Sequence, residues 1–162
     1  MNRADIIQLV VEQLTHDLAV QLKAAITAHA ASTDSENIPD NKYETLALEA
    51  SYVAQGQANR AQEIKRALEA YKQLTLQHFD DNSPIRLTAL VSLAGDDDTT
   101  RTVFIGPQEG GMKVIDPSSK TVIVVITPAS PLGRDLIGKT VGDMVRIGSG
   151  SAGKKFEITA VC

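Results

Sequence analysis

A short polar segment in the first third of the chain concentrates the side chains that could hold a metal ion. It carries four carboxylates, Asp34, Glu36, Asp40 and Glu44. Carboxylate oxygens suit Mg²⁺, which proteins often hold with one or two carboxylates together with phosphate oxygens. If such carboxylates were placed beside phosphates bound by another enzyme, they would complete a two-metal site. That site would activate a water molecule for attack on a phosphodiester. The same acids also have a structural explanation, because Asp caps helices and acids near a helix N-terminus complement its dipole.

The histidines, the cysteine and the glycine-rich stretch offer no other obvious chemistry. His16, His29 and His78 lack the HxxxH or HxH spacing of metal ligands, and Cys162 is the single cysteine. An internal disulfide and a cysteine–zinc cluster are therefore excluded. Residues 148–153 lack the GxxxxGK[ST] order of a phosphate-binding loop, so they are interpreted as a hairpin loop. Aromatic residues are 4% of the chain, with no Trp, which disfavours a large pocket for a flat cofactor.

The overall charge and hydropathy restrict the class of partner. The formal net charge of −4 argues against a protein that coats nucleic acid by charge alone. It leaves open a partner with a basic surface or a bound metal ion. The sequence shows no signal-peptide pattern and no run of about 20 apolar residues. We therefore expect a cytoplasmic protein that does not bind membranes.

The composition of the chain changes near residues 80–84. Residues 2–79 contain one Pro and one Gly, whereas the rest contains the other five of six prolines and ten of eleven glycines. Because Pro and Gly interrupt helices, the first part is predicted to be helical and the second to consist of strands and turns. The predicted domains are a helical hairpin over 1–79, a linker over 80–84 and a sheet domain over 85–162.

The helical part shows a repeat of alternating four- and three-residue steps that is typical of a coiled-coil seam. A short polar break over 31–39 separates its two series and predicts an antiparallel hairpin about 45 Å long. Bulky residues would meet at the open end and alanines near the turn, so we expect close packing there and a thin tip. The two series are Ile7, Val11, Leu14, Leu18, Gln21, Ala25, Ala28 and Tyr43, Ala47, Ala50, Ala54, Gln57, Ala61, Ile64, Leu68, Tyr71.

The second part alternates short runs rich in Val, Ile and Thr with turn residues, which predicts strands. One short helix is predicted to have Ser130 as its N-cap and Pro131 at its first position, and to stop at Gly138. The result is an α+β fold with an antiparallel sheet, in which 122–126 is expected to be a central strand covered on both faces. The predicted strands are 85–93, 101–105, 112–115, 120–127, 143–147 and 155–161.

The segment SPLGRDLIGKTVGD, from Ser130 to Asp143, resembles the C-terminal signature of Gre-type transcript cleavage factors. Residues 102–106, 155–161 and 40–43 also fit that family's pattern, so the resemblance spans nearly the whole chain. It implies an N-terminal antiparallel coiled coil followed by an FKBP-like domain.

The resemblance also implies a function. Gre-type factors dock their C-terminal domain at the secondary channel of bacterial RNA polymerase and insert the coiled coil. Acids at the tip help to hold the catalytic Mg²⁺, and the polymerase active site then cuts backtracked RNA. This chain is thus expected to be an accessory factor without its own active site, tightly bound cofactor or small-molecule substrate. It would share Mg²⁺ with the polymerase and meet the nascent RNA 3′ end only indirectly.

The implied roles can be assigned to positions of this chain. Asp40 corresponds to the second tip acid and would be the transient metal ligand. Lys42 and Arg60 would lie near the RNA, although pairing with acids on a solvated helix face explains them as well. Around Asp40, the tip would include Glu36, Glu44 and Asp34, supported by Asn41 and Tyr43. The docking residues would be Ser130, Pro131, Leu132, Arg134 and Leu136, of which the apolar ones also fit a core.

The tip departs from the family pattern at Asn37, where the family has another Asp three residues before the acid at position 40. Binding of the polymerase is therefore better supported than cleavage, and a non-cleaving regulator that occupies the channel is an alternative. The FKBP-like domain also suggests a prolyl isomerase, which the scarcity of aromatic residues disfavours. A coiled-coil adaptor without polymerase contact is a further alternative.

Overall fold

The computed structural model describes residues 2–33 and 41–162, with side-chain detail for 2–30 and 51–162. Two long helices, α1 (Arg3–Thr33) and α2 (Asn41–Lys72), form the predicted helical hairpin, and a mixed sheet with one short helix follows. The later elements are β1 (Leu90–Gly95), β2 (Thr100–Ile105), β3 (Lys113–Ile115), β4 (Val122–Ile126), α3 (Pro131–Leu136), β5 (Met144–Ile147), a 3₁₀ turn (Gly150–Ala152) and β6 (Lys154–Val161).

The described residues form two compact units. One contains residues 1–10 together with 70–162, and the other contains residues 11–69. The predicted domain bounds, 1–79, 80–84 and 85–162, stay a prediction.

Contacts within the first unit show why the first residues of α1 group with the sheet. The Arg3 guanidinium donates to the carbonyl oxygen of Thr88 at 3.2 Å. It also lies 5.1 Å from the centre of the Phe79 ring, and the Arg86 guanidinium lies 4.7 Å from the same centre. Arg86 in turn donates to the carbonyl oxygen of His78 at 2.9 Å. The Arg3 contacts thus attach the start of α1 to the segment after α2, and the second cation–π contact, from Arg86, lies within that segment.

The seam of α2 follows the predicted spacing, and that of α1 follows it only in part. In α2 the residues Ala61, Ile64, Leu68 and Tyr71 are buried. At the start of α1, Ile6 and Val10 are buried while the predicted Ile7 and Val11 are only partly buried. A helix has 3.6 residues per turn, so a strict 3.5-residue repeat drifts and a neighbouring residue takes over the buried face. The predicted positions Tyr43, Ala47 and Ala50 lie outside the residues whose side chains are described.

The alanine-rich part of the hairpin is more open than predicted. A cleft of about 590 Å³ lies between α1 and α2, lined in part by Leu22, Ala25, Ile26, Ala54 and Ala58. Ile26 at its edge is 70% exposed. Small side chains permit close packing, but at the described seam positions Ala25 and Ala54 they border a gap, so the expectation of a tight alanine seam was wrong at these positions.

The sheet has six strands in the order β3-β4-β2-β1-β6-β5. It is mixed, because β2 and β4 are parallel, with Val103 opposite Val124, whereas the other neighbouring pairs are antiparallel. The prediction of a wholly antiparallel sheet was therefore wrong. After β2 the chain passes to β3 at the sheet edge, and the β3–β4 hairpin returns β4 into the space beside β2. Two reversals of direction make β4 parallel to β2.

Two predicted strand features are also corrected. Strand β1 begins at Leu90 and not at residue 85, because Thr88 has a φ of 75° and the Ala89 amide closes a turn on the Arg86 carbonyl at 3.1 Å. A left-handed residue of this kind interrupts an extended chain. Strand β4 is not covered on both faces, since Val122 is 46% exposed. Its neighbour β3 is an edge strand of only three residues.

The main core lies on the face of the sheet that α3 covers. Leu136 of α3 packs there with strand residues such as Val103, Val145, Phe156 and Ile158, all of them buried. On the opposite face Phe104 and Val125 are paired across β2 and β4 and are fully buried. The Tyr71 side chain occupies the space over Gly106 next to Val125. The sheet is thus apolar on both faces where its inner strands meet.

Candidate functional site

The short helix α3 begins with the predicted cap. The Ser130 hydroxyl accepts a hydrogen bond from the Gly133 amide at 3.1 Å and donates one to the Thr127 carbonyl at 2.7 Å. Pro131 follows at the first helical position, where the missing N–H costs nothing. The Arg134 Nε donates to the Ala129 carbonyl at 2.8 Å and fixes this side chain over the preceding loop. The first turn of α3 is therefore a rigid feature of the surface.

The remainder of the 130–143 motif holds the fold together. Gly138 has a φ of 87° and its amide donates to the Ile85 carbonyl at 2.8 Å. The Asp143 carboxylate accepts from the Thr140 amide at 2.9 Å, which closes the loop before β5. The predicted stop of the helix at Gly138 is thus confirmed, and Gly138 and Asp143 of the motif are explained by their roles in the fold.

The five predicted docking residues differ in their exposure. Pro131 and Arg134 are exposed, whereas Ser130 and Leu132 are partly buried. Leu136 is fully buried in the core, so its side chain is not available to a partner. This corrects its placement in the docking set and follows from helical geometry, because residue 136 points to the sheet while 131 and 134 point away.

Two shallow clefts flank the exposed turn of α3. One has about 490 Å³ and lies between Ser130, Pro131 and Leu132 on one side and Arg146 and Ile147 on the other. The second has about 500 Å³ and is formed on the sheet by Arg101, Lys113, Val122 and Val124, with Leu132 at its border. The turn and its two clefts form a concave surface with an apolar floor, and its margins carry basic residues together with the acidic Asp135.

The sheet residues of this surface were missed by the sequence analysis. Val122 and Val124 alternate with the buried Ile123 and Val125, which is the pattern of a strand with one open face. That alternation is the signal that could have found them. Their proximity to Lys113 follows only from the β3–β4 register, in which Lys113 lies opposite Val124.

The predicted tip acids Asp34, Glu36 and Asp40 lie outside the described residues. The chain from Asn41 to Glu44 belongs to α2, but the side chains of Asn41, Lys42, Tyr43 and Glu44 also lie outside the described part. Among the described residues, no group of three His, Cys, Asp or Glu side chains is placed to hold a metal ion.

Arg60, predicted to lie near RNA, is a partly buried residue of α2 whose side chain is 41% exposed. Its Nη1 lies 3.2 Å from a carboxylate oxygen of Glu63 three residues later on the same helix. An exposed i,i+3 pair of this kind is weak and is typical of a solvated helix face. The alternative interpretation of Arg60 as part of such a face gains support from this contact.

Within the described part of the chain, no helix has the length and apolar character that a membrane span requires.

Comparison with known proteins supports a Gre-type transcription elongation factor, in agreement with the resemblance of the motifs. The supporting relative is the transcription elongation factor GreA of Rhodospirillum rubrum. It is 25% identical over 145 residues, which cover 88% of this chain and 84% of that protein. No protein-family model matches the chain.

Solved structures of related factors give weaker likenesses. Gfh1 of Thermus aquaticus is 19% identical, with a TM-score of 0.40, over 95% of this chain and 94% of its own. The transcription elongation factor GreA/GreB of Nitrosomonas europaea is 14% identical, with a TM-score of 0.37, over 60% of this chain and 78% of its own. At TM-scores below 0.5 these likenesses carry no argument about this chain.

Proposed function

We propose that this chain is a cytoplasmic accessory factor that binds bacterial RNA polymerase at its secondary channel and stimulates cleavage of backtracked RNA by the polymerase active site. The similarity to a GreA protein over 88% of the chain supports the family, and the exposed first turn of α3 supports the docking role. In this proposal the chain makes no chemical step by itself. It acts by placing side chains where the polymerase already binds RNA and Mg²⁺.

The docking role rests on the rigidity and exposure of the α3 turn. Ser130 and Arg134 each bond to the loop before the helix, so Pro131 and the Arg134 guanidinium are held at the surface before any partner arrives. Preorganised side chains lose little conformational entropy on binding and are therefore effective anchors. Leu132, half-buried between the two clefts, supplies an apolar centre for the contact.

The cleavage role rests on the carboxylates of the segment between the two helices. Asp40, with Glu36, Glu44 and Asp34 as neighbours in sequence, would offer oxygen ligands to the Mg²⁺ that the polymerase shares. When bound, that ion would activate water for attack on the RNA phosphodiester. The contribution of this chain is to deliver carboxylates, with Asn41 and Tyr43 as supporting residues and no metal of its own.

A second candidate function is a regulator that occupies the channel without stimulating cleavage. The amide Asn37 at a position where the family has a carboxylate favours it, because an amide carries no charge to offer Mg²⁺. Such a regulator would compete with cleavage factors for the polymerase and leave the RNA intact.

The two candidates are separated by adding the protein to stalled elongation complexes in the presence of Mg²⁺ and following RNA length on gels. We expect shortening to accelerate with the wild type. Asp40→Ala should lower this acceleration at least about tenfold, with unchanged affinity for the polymerase, because it removes a ligand needed in the cleavage transition state. Asp81→Ala, which removes an exposed carboxylate after the hairpin, is the matched control. Binding without any shortening would establish the regulator instead, and absence of binding would refute both candidates.

A further inference from the structure

The β5–β6 hairpin places two positive charges directly opposite each other. In its register Arg146 pairs with Lys155, and both side chains are exposed on the same face of the sheet. Like charges in directly opposed positions of antiparallel strands repel and destabilise the pair. A protein that needed only a stable hairpin would gain from an acid at either position. We therefore expect the pair to have a role other than stabilising the hairpin.

Neither charge is neutralised within the described part of the chain. The side chains of Arg146 and Lys155 make no hydrogen bond and no ion pair with any described residue. The adjacent Lys154 is different, because its ammonium group lies 2.9 Å from a carboxylate oxygen of Asp97. Asp97 is thus engaged by Lys154, and no described acid, including the nearby Asp96, forms an ion pair with the opposed cations, which are left available for an external anion.

Gly153 provides the space in which the Arg146 side chain lies. A Cβ at position 153 would fall 2.6 Å from the Arg146 Nε and 3.2 Å from its Cδ. The backbone at Gly153, with φ −67° and ψ 133°, is one that any residue adopts. The glycine is therefore needed for room and not for conformation, and it lets Arg146 lie across the hairpin backbone.

Arg146 also connects this pair to the turn of α3. It lines the cleft that contains Ser130, Pro131 and Leu132. It also lines a neighbouring cleft of about 410 Å³ that contains Asp96, Lys154 and Lys155. Because the adjacent Val145 and Phe156 point into the core under α3, the Arg146 and Lys155 side chains lie on the opposite face of the sheet. The pair is therefore connected to the docking surface only around the sheet edge, where Arg146 of β5 borders both clefts.

The charges around the pair favour a protein partner over a nucleic acid. Asp96 and Asp97 line the same cleft as Lys155, so a continuous polyanion laid on the pair would also meet acidic side chains. The chain as a whole carries a net charge of −4, which adds to that repulsion. A protein surface that presents acids beside a base matches both signs.

We propose that Arg146 and Lys155 form a second anchor of the docking surface, which binds a pair of carboxylates on the surface of RNA polymerase. This inference rests on the proposed function, because it names the part of the chain that the polymerase contacts in addition to α3. The pair acts by charge complementarity at the margin of the interface, so its contribution depends on salt.

The test uses single charge reversals, because they separate binding from folding. Arg146→Glu and Lys155→Glu each turn the repulsive pair into an attractive one. We expect both variants to unfold at the same or a higher temperature than the wild type. Their affinity for core RNA polymerase should nevertheless be roughly tenfold weaker at low salt, with the difference shrinking at high salt. Lys120→Glu, which reverses another exposed lysine of the same unit, is the control and should bind as the wild type does.

Gly153→Ala supplies a variant without a change of charge. It should displace Arg146 and weaken polymerase binding several-fold while Lys155 is untouched.

If the wild type binds polymerase and both charge-reversal variants bind it with the same affinity, the anchor is overturned and the proposed function still stands. Loss of binding to a labelled single-stranded RNA, with unchanged polymerase affinity, would assign the pair to nucleic acid and also overturn it. A wild type that does not bind polymerase would refute the proposed function itself.

Discussion

Tyr71, at the end of α2, illustrates how a single polar atom is accommodated in an apolar site. Its side chain is 1% exposed, and its hydroxyl donates to the Gln108 carbonyl at 2.7 Å. Burial raises the pKa of Tyr71 far above its ordinary value, and the negative charge of Glu109 adds to the shift. Both effects disfavour the phenolate, so the residue remains a neutral donor in the folded protein.

We expect Tyr71→Phe to lower the free energy of unfolding by about 1 kcal/mol, because a buried hydrogen bond is lost and the ring is kept. Urea unfolding at neutral pH would measure it. Because the pKa of Tyr71 is raised in the folded protein, its contribution to the free energy of unfolding is complete below about pH 10. This contribution falls as the pH rises further, since only the unfolded chain loses the tyrosine proton there. The deficit of the variant should therefore shrink at alkaline pH. Tyr52→Phe, at a residue that is 70% exposed, should change little, and an equal loss in both variants would refute this explanation.

At the scale of elements, the junction between β4 and α3 depends on a residue without a side chain. Gly133 is buried, and a Cβ there would overlap the Thr127 carbonyl oxygen that accepts the Ser130 hydroxyl bond. Gly56 in α2 is the opposite case, because nothing lies within 4 Å of the Cβ it would gain. The same substitution should thus have opposite effects in the two helices.

We expect Gly133→Ala to destabilise the protein by about 1–3 kcal/mol through steric overlap. Gly56→Ala should stabilise it by about 0.5–1 kcal/mol, because alanine restricts the unfolded chain and favours the helix. Thermal unfolding of the two variants side by side would show melting temperatures that move in opposite directions. A rise for Gly133→Ala would contradict the close approach to Thr127.

The elements that the sequence predicted correctly are those that local chemistry determines. The Ser130 cap, Pro131 and the stop at Gly138 act within a few residues of one another, so their pattern is visible in the chain. The parallel pairing of β2 with β4 is not, because it depends on how the β3–β4 hairpin returns to the sheet. The Arg146–Lys155 pair of the docking surface likewise follows from a register set across the loop 148–153. The prediction that a strand begins at residue 85 was wrong, because Thr88 has a positive φ that threonine rarely adopts.

On the scale of the whole molecule, burial is distributed unevenly between the two units. No described residue between 15 and 30 or between 51 and 60 is buried, whereas β1 and β2 each contain three buried residues. Helices of this length owe most of their stability to tertiary packing and not to intrinsic propensity. Residues 15–30 and 51–60 are therefore expected to unfold locally more readily than the sheet.

Hydrogen exchange followed by mass spectrometry would measure this difference. Amides in 18–30 and 51–60 should exchange at least about tenfold faster than those of β1 and β2, which corresponds to ~1.4 kcal/mol in opening free energy. Amides of α2 near the buried Ile64 and Leu68 serve as an internal reference and should exchange more slowly than those of 51–60. Uniform protection along both helices would show that the open cleft does not weaken the hairpin.

The attachment of Arg3 to Phe79 and Thr88 limits which changes of gene structure this fold can accept. The sheet unit is assembled from residues 1–10 and 70–162, and residues 11–69 of the hairpin lie between these two parts in the sequence. Gene fusion or recombination that transferred only the carboxyl-terminal half would leave Phe79 without one of its two guanidinium partners. Shortening or lengthening the hairpin within residues 11–69 leaves the contact of Arg3 with Phe79 intact. The hairpin can therefore vary in length while this contact is retained.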